Sequence, residues 1–266
     1  MLELYHNAAS TCSQKVRMVL AEKSLDFTSR PLDLISGEQH APEYVKLNPN
    51  HVVPTLVHDG AVLIESSLIN EYLDDAFPES PMRPADAAAR HGVRLWVKRF
   101  DEYVQPAIGV VTFAIGPRKM ILGQPEEVRE ANIAAIPDPA RRAARRSVIE
   151  HGVHAPEFAG ALGRVVSLMD DVETALESQP WLSGEDFGLA DAGLLPYVVR
   201  LDHLAMNPLL SEAVRPRLAD WFVRLQARPA FSVAVTAWLP ELILAVLRTG
   251  GEEAWPEVEE VLAARN

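Results

Sequence analysis

The change of hydrophobic period near residue 78 constrains the fold of this chain more than any single motif. Before it, strand and helix patterns alternate. Residues 2–5 read as a strand, 14–23 carry Val16, Val19 and Leu20 at helical spacing, and 26–34 read as a second, parallel strand. A turn of helix follows at 43–47. Residues 55–57 and 62–64 are short apolar runs split by His58, Asp59, Gly60 and Ala61, a hairpin signal because Asp-Gly supplies the backbone conformations of a tight turn. Residues 66–77 return to the helical period through Leu68, Ile69, Tyr72 and Leu73. The order β-α-β, helical turn, β-β-α predicts a thioredoxin-like α/β domain over 1–80.

Beyond a proline-rich connector at 78–85, almost every segment is helical in pattern, which predicts an all-α domain over 86–266. Residues 87–115 read as one long helix with Val93, Trp96, Val97, Phe100, Val104 and Ile108 on its apolar face, kinked or interrupted by Pro106. Residues 116–139 are polar and punctuated by Gly and Pro, and the stretch 116–156 reads as a long insertion. Further helical patterns cover 140–151, 156–177, 189–204, 211–225 and a final segment from 229. In that tail, 239–247 is strongly apolar and 256–264 is amphipathic, so packing on the helical domain is its expected role.

Composition removes several function classes. A chain of 266 residues with 48% hydrophobic content has ample core for two domains. Its formal charge of -12 argues against non-specific binding to nucleic acid or anionic membrane, which needs a basic face. The longest apolar run, 107–116, is too short to span a bilayer, so no membrane partner is expected. The single cysteine, Cys12, forms no internal disulfide, which makes the reducing cytoplasm the expected compartment. The eight histidines are scattered without zinc-ligand spacing, and no metal is expected.

Chemistry concentrates in Ser10-Thr11-Cys12-Ser13, between the first strand and the first helix. A helix N-terminus offers unpaired N–H groups and positive dipole potential, which suits a thiolate. Ser and Thr are also ordinary helix caps, and a lone Cys is often a buried apolar residue. Two further motifs fall where a thiol-containing tripeptide needs them. Val53-Pro54 precedes a strand, and a cis peptide there turns the backbone outward to pair with an extended ligand; an ordinary loop proline is the alternative. Glu65-Ser66 opens the third helix, where the Ser66 N–H and hydroxyl suit a carboxylate and Glu65 suits an ammonium; a simple helix cap is the alternative.

Together these motifs resemble the cytosolic glutathione S-transferase superfamily. Lys46-Leu47-Asn48-Pro49 followed by Val53-Pro54-Thr55-Leu56, Glu65-Ser66 with Ile69-Asn70-Glu71-Tyr72-Leu73, and the stretch from Gly184 to Asp191 stand in that family's order. The resemblance implies a glutathione-binding first domain, a helical second domain with an apolar acceptor pocket, and commonly a homodimer. It implies that Ser10 or Cys12, with Ser13 beside them, serves the glutathione sulfur. Thr11, Gln39, His40, His51, Val53, Pro54, Glu65 and Ser66 would bind the rest of that co-substrate. It departs from the family at Gly188, where Ser or Thr usually caps the helix; glycine is tolerated there, and Asp191 can still reach the cap's N–H.

Finer resemblance divides. The opening turn with Val16-Arg17 is similar to zeta-type isomerases and tetrachlorohydroquinone dehalogenases, while Met82-Arg83-Pro84-Ala85-Asp86, Trp96 and Asp101-Glu102-Tyr103 are similar to bacterial lignin β-etherases, and Ser10 matches the serine of theta-like transferases. The leading expectation is a transferase in which Ser10 holds glutathione as thiolate for attack on a hydrophobic, aromatic electrophile, by conjugation or β-aryl ether cleavage, in detoxification or aromatic degradation. The alternatives are Cys12-dependent reductive dehalogenation, thiol transfer or zeta-like isomerisation, and a non-catalytic protein that binds glutathione and a ligand. Acceptor-pocket candidates are Arg99, Phe100 and Tyr103, with core packing the competing reading for Phe100 and Trp96. Arg141, Arg142, Arg145 and Arg146 form a helical stripe that reads more readily as a solvated face than as an anion site.

Overall fold

In the computed structural model, which describes residues 1–264, the first domain is a four-stranded sheet with helices above it. The last two residues of the 86–266 reading lie outside the described residues. Strand β1 (Leu2–His6) runs parallel to β2 (Thr28–Pro31) and antiparallel to β3 (Thr55–His58), which pairs with β4 (Ala61–Leu63) in the order β2-β1-β3-β4. Helices α1 (Thr11–Glu22), α2 (Pro42–Val45) and α3 (Ser66–Ala76) complete it. The second strand is shorter than the strand read over 26–34, because only its middle pairs with β1. Leu4, Val16, Val19, Leu20, Leu56, Ile69 and Leu73 are buried, so the strand and helix periods predicted for this domain face one core.

The second domain contains α4 (Ala87–Arg99), α5 (Gln105–Ile115), α6 (Arg118–Leu122), α7 (Glu126–Ala134), α8 (Pro139–His151), α9 (Phe158–Ala175), α10 (Leu189–His203), α11 (Pro216–Gln226), α12 (Pro229–Phe231) and α13 (Glu241–Ala263). The expected single helix over 87–115 is divided by a π-helical turn, Phe100–Val104. The irregularity falls just before Pro106, whose missing N–H and ring disturb that turn's bonding. Residues 116–139 are not the polar loop their composition suggests but the two short helices α6 and α7. The tail, read as two segments, is one helix through Pro256, and its Leu247 and Val258 are buried. Gly251 permits this docking, since a Cβ there would strike the Leu204 carbonyl. Among the described residues no single helix is long and apolar enough to cross a membrane; Pro229–Thr236 and α13 pass only as a pair bent by 85°.

The α10 N-terminus solves the Gly188 departure. Ser183 Oγ accepts the Ala190 N–H at 3.1 Å, while Asp191 accepts the Gly188 N–H at 3.2 Å, so a hydroxyl from outside the helix replaces the cap hydroxyl. A Cβ on Gly188 would lie 2.7 Å from Ser183 Cβ and collide with the Met82 carbonyl, which accepts the Leu189 N–H. Ser183→Ala is therefore expected to cost about 1 kcal/mol in urea unfolding. Restoring a serine at position 188 is expected to destabilise further rather than rescue it.

Two buried histidines make stability pH-dependent. His6 accepts from Arg17 at Nδ1 (3.1 Å), so Nε2 carries the proton it donates to Ser29 Oγ at 2.8 Å. Burial, then the Arg17 charge, pushes the His6 pKa down to about 4. Burial, then Arg200 and Arg248, pushes that of His203 down to about 3. Both folded values lie below the unfolded value of about 6.5, so the unfolded chain binds more protons in acid. Stability should hold above about pH 6.5 and fall below it, with a slope approaching roughly 1.4 kcal/mol per pH unit for each histidine. Denaturation at about pH 7 and about pH 5 should show this slope flattened in the His6→Gln/His203→Gln double variant; an unchanged slope would contradict the assignment.

Candidate active site

The chemistry-bearing turns converge on one end of the sheet. β1 ends there in the Asn7 to Ser10 turn, β3 begins there after Pro54, and β4 ends there at Glu65, because β3 is antiparallel to both neighbours. Two buried arginines hold the first turn. Arg17 donates to the carbonyls of Asn7 (3.0 Å), Ala8 (3.1 Å) and Ala234 (2.7 Å), and Arg200 donates to the Ala9 carbonyl. Burial depresses both, to about 9 for Arg17 and about 10 for Arg200. Neither arginine was picked out from sequence as a site residue, because a charged residue in an apolar helix signals burial only once its carbonyl partners are known.

Ser10 is the N-cap of α1. Its Oγ accepts the Ser13 N–H at 3.2 Å, which leaves its O–H free to donate to another atom. Thr11 faces the second domain and shares a hydrogen bond with Gln105, at 3.3 Å from the Gln105 Nε2. Cys12 is half-buried on the first turn. Ser13, placed beside them in the expected sulfur-serving set, is fully buried, and its Oγ accepts the Asn7 N–H at 3.3 Å. Beneath Cys12, Lys15 is fully buried between Asp101 (2.9 Å) and the Tyr197 ring. Burial opposes its charge, but Tyr197, Cys12 and Asp101 together hold its pKa above the ordinary lysine value.

The Val53-Pro54 peptide is cis, and among the described residues nothing hydrogen-bonds the Val53 backbone. An unpaired backbone beside a cleft is a ready partner for an extended ligand. Glu65 enters α3 with φ 68° and accepts from Asn50 at 3.2 Å, and Ser66 starts the helix. On the far side, His40 and His51 meet Nδ1 to Nδ1 at 2.9 Å, and Gln39 Nε2 lies 3.0 Å from His40 Nε2. Gln39 Oε1 is buried without a partner. Burial, then His51 and Arg141, holds the His40 pKa below its ordinary value, so the pair favours a neutral His40.

The residues expected on the acceptor side lie away from the Ser10 turn. Asp101 and Gln105 face the first domain, so Arg99 and Tyr103, about half a helical turn around, face away from it. These two line a cavity of about 660 Å³ with Ala159, Gly160, Gly163, Arg164 and Ser167, all from the second domain, and Arg99 pairs with Asp171. Phe100 is fully buried against Trp96 and Tyr197. The three expected acceptor contacts are thus a remote groove and a core residue. The face presented to the Ser10 turn instead carries Gln105, Gly109 and Phe113 at four-residue spacing on α5. A Cβ on Gly109 would meet nothing within 4 Å, so the helix is open beside that position.

The insertion closes the other wall. Gln124 and Asn132 donate to the Ile35 carbonyl at 3.3 and 3.1 Å, docking α7 and the loop before it on the turn that leads to Gln39. Gly37, with φ 87°, allows the approach, since a Cβ would lie 2.5 Å from Asn132 Oδ1. Helix α8 then sets Arg145 over the Phe113 ring at 3.2 Å and Arg141 close enough for its charge to bear on both His40 and Cys12.

A four-stranded sheet domain with a cis-proline turn, joined to an all-helical domain, is the two-domain architecture of this chain. Residues 9–76 match the glutathione S-transferase N-terminal domain and 139–224 match the C-terminal domain of that family. The chain belongs to the glutathione S-transferase superfamily. It is 31% identical over 234 residues to protein LigF of a Sphingobium species, covering 86% of this chain and 91% of that one. The crystal structure of beta-etherase LigF superposes with a TM-score of 0.80 at 30% identity, over 88% of this chain and 98% of that one. The tetrachloro-p-hydroquinone reductive dehalogenase of Sphingobium chlorophenolicum is 28% identical over 88% of this chain and 95% of its own.

Proposed function

We propose that the chain is a transferase that binds glutathione along the sheet end and uses it as a thiolate against an aromatic electrophile. Ser10 carries this reading, because its oxygen is occupied as a helix cap while its O–H remains free to donate. Glu65 and Ser66 would take the γ-glutamyl end, the Val53 backbone the cysteinyl residue, and Gln39, His40 and His51 the glycyl carboxylate. The acceptor would lie over Gly109, with its reacting carbon toward the first turn of α1. Attack there forms a carbon–sulfur bond and expels the leaving group with its electron pair, as halide, phenolate or another anion.

A second reading rests on Cys12, which is half-buried on that same turn and lies near Arg141 and Lys15. In a reductive cycle the Cys12 thiolate would attack the sulfur of a glutathione thioether, releasing the acceptor as a carbanion that takes a proton and leaving a Cys12–glutathione disulfide. A second glutathione would then free Cys12 as glutathione disulfide. Mass spectrometry of the products separates these routes. Conjugation yields a stable thioether and an unmodified Cys12; a glutathionylated Cys12 with reduced acceptor would replace the leading reading by the second.

A further inference from the structure

The four arginines of α8 divide into two kinds. Arg142 donates to the carbonyls of Ala134 and Ile136, both at 3.1 Å, and Arg146 pairs with Glu130 at 2.7 Å. These two fasten α8 to α7 and the turn after it. Arg141 and Arg145 sit one helical turn apart and, among the described residues, have no ion-pair partner. Asp138, the nearest acid in sequence, accepts the Arg141 backbone N–H as the helix cap and pairs with no guanidinium. Such a lack is informative in a chain with 37 acidic and 25 basic residues, where carboxylates are plentiful.

Their placement is equally specific. Arg145 is half-buried, with its guanidinium carbon 3.2 Å from the centroid of the Phe113 ring rather than beside a carboxylate. Burial, then the neighbouring Arg141 charge, pushes its pKa down to about 9, so an anion between the two would relieve both penalties. Arg141 is exposed, and its charge couples to Cys12 and His40. In the transferase reading, α5 would present Gln105 toward the sulfur, Gly109 as the open middle of the acceptor space and Phe113 at its far end, each about 6 Å from the next. An aromatic ring with a substituent opposite its reacting carbon covers about one of these two steps.

We propose that Arg141 and Arg145 form an anion subsite at the far end of the acceptor space, selecting aromatic electrophiles that carry a carboxylate on the side opposite the reacting carbon. This rests on the transferase reading for the location of the reacting carbon, but the anion subsite itself is a binding property. The pair stacks and bridges a carboxylate in the manner guanidinium groups favour, with Phe113 as the platform.

The test uses the full-length protein saturated with S-methylglutathione, which cannot react, and titrates nitrobenzoate and the uncharged nitrobenzamide by calorimetry. Turnover of chloronitrobenzoate with glutathione is followed in parallel. Wild type should bind the benzoate on the order of tenfold more tightly than the amide, and Arg145→Gln and Arg141→Gln should each erase most of that preference while amide binding stays unchanged. Equal affinity for the two ligands in wild type, or a preference that survives both substitutions, would overturn the proposal. Loss of S-methylglutathione affinity in Arg141→Gln with the benzoate preference intact would also overturn it, assigning Arg141 to the glycyl carboxylate. A benzoate preference without turnover of the chloro compound leaves the subsite standing and removes the transferase reading.

Discussion

Ser10→Ala should lower kcat/KM for glutathione conjugation on the order of 10²-fold, the effect of removing one donor aimed at developing or resident negative charge. The geometry accounts for the size. The hydroxyl stands at the N-terminus of α1, where the helix dipole already favours an anion, and among the described residues its proton has no acceptor. Alanine also removes the cap on the Ser13 N–H, a stability loss of about 1 kcal/mol that a folded enzyme tolerates. Ser10→Thr separates the two effects, since it keeps both the cap and the donor and should retain most of the rate. Cys12→Ser should change conjugation less than tenfold. If the cysteine variant loses the rate and Ser10→Ala keeps it, Cys12 is the sulfur's partner instead.

The largest stability effect is expected at Asp191. This fully buried carboxylate accepts from the Leu182 N–H (2.8 Å), the Ser183 N–H (3.1 Å), the Gly188 N–H (3.2 Å) and the Trp221 indole (2.9 Å). Burial raises its pKa, and those four donors work against the rise. Asp191→Ala strands all four donors in the core, at a cost of about 3 to 5 kcal/mol. Asn is no substitute, because its amide presents N–H groups to donors. Urea unfolding followed by fluorescence of Trp221 and Trp181 measures the loss. A change smaller than about 1 kcal/mol would mean that water or rearranged side chains satisfy these donors.

The first domain was legible in the sequence because each of its elements carries its own signal. The strand and helix periods, the Asp59-Gly60 turn and the proline before β3 are local, and local rules suffice to order them. The turns proposed to hold glutathione stand out for the same reason, since Ser10, Val53-Pro54 and Glu65-Ser66 all sit where an element begins. The acceptor side was not. On α4 and the π-helical turn after it, Arg99, Phe100 and Tyr103 look as good as Asp101 by composition, and only the packing of Asp101 and Gln105 against α1 decides which face meets the cleft. Gly109, the seat proposed for the acceptor, gives no sequence signal at all, because what it would contribute is space.

The α8 stripe shows the same limit in another form. Four arginines in six residues read as a solvated face, and the distinction between Arg142 or Arg146 and Arg141 or Arg145 depends on Glu130 and on carbonyls at the end of α7. Ser183 is a further case. The missing hydroxyl at Gly188 was visible, but its replacement comes from five residues away in a turn whose course no period dictates.

Titration of the bound glutathione thiol, followed by its ultraviolet thiolate absorbance, tests the central claim most directly. In wild type the thiol should ionise one to two units below the value of about 8.5 for a free thiol, and Ser10→Ala should return most of that shift. A bound thiol that ionises at its free value, or a shift that survives in Ser10→Ala, would contradict thiolate stabilisation by Ser10.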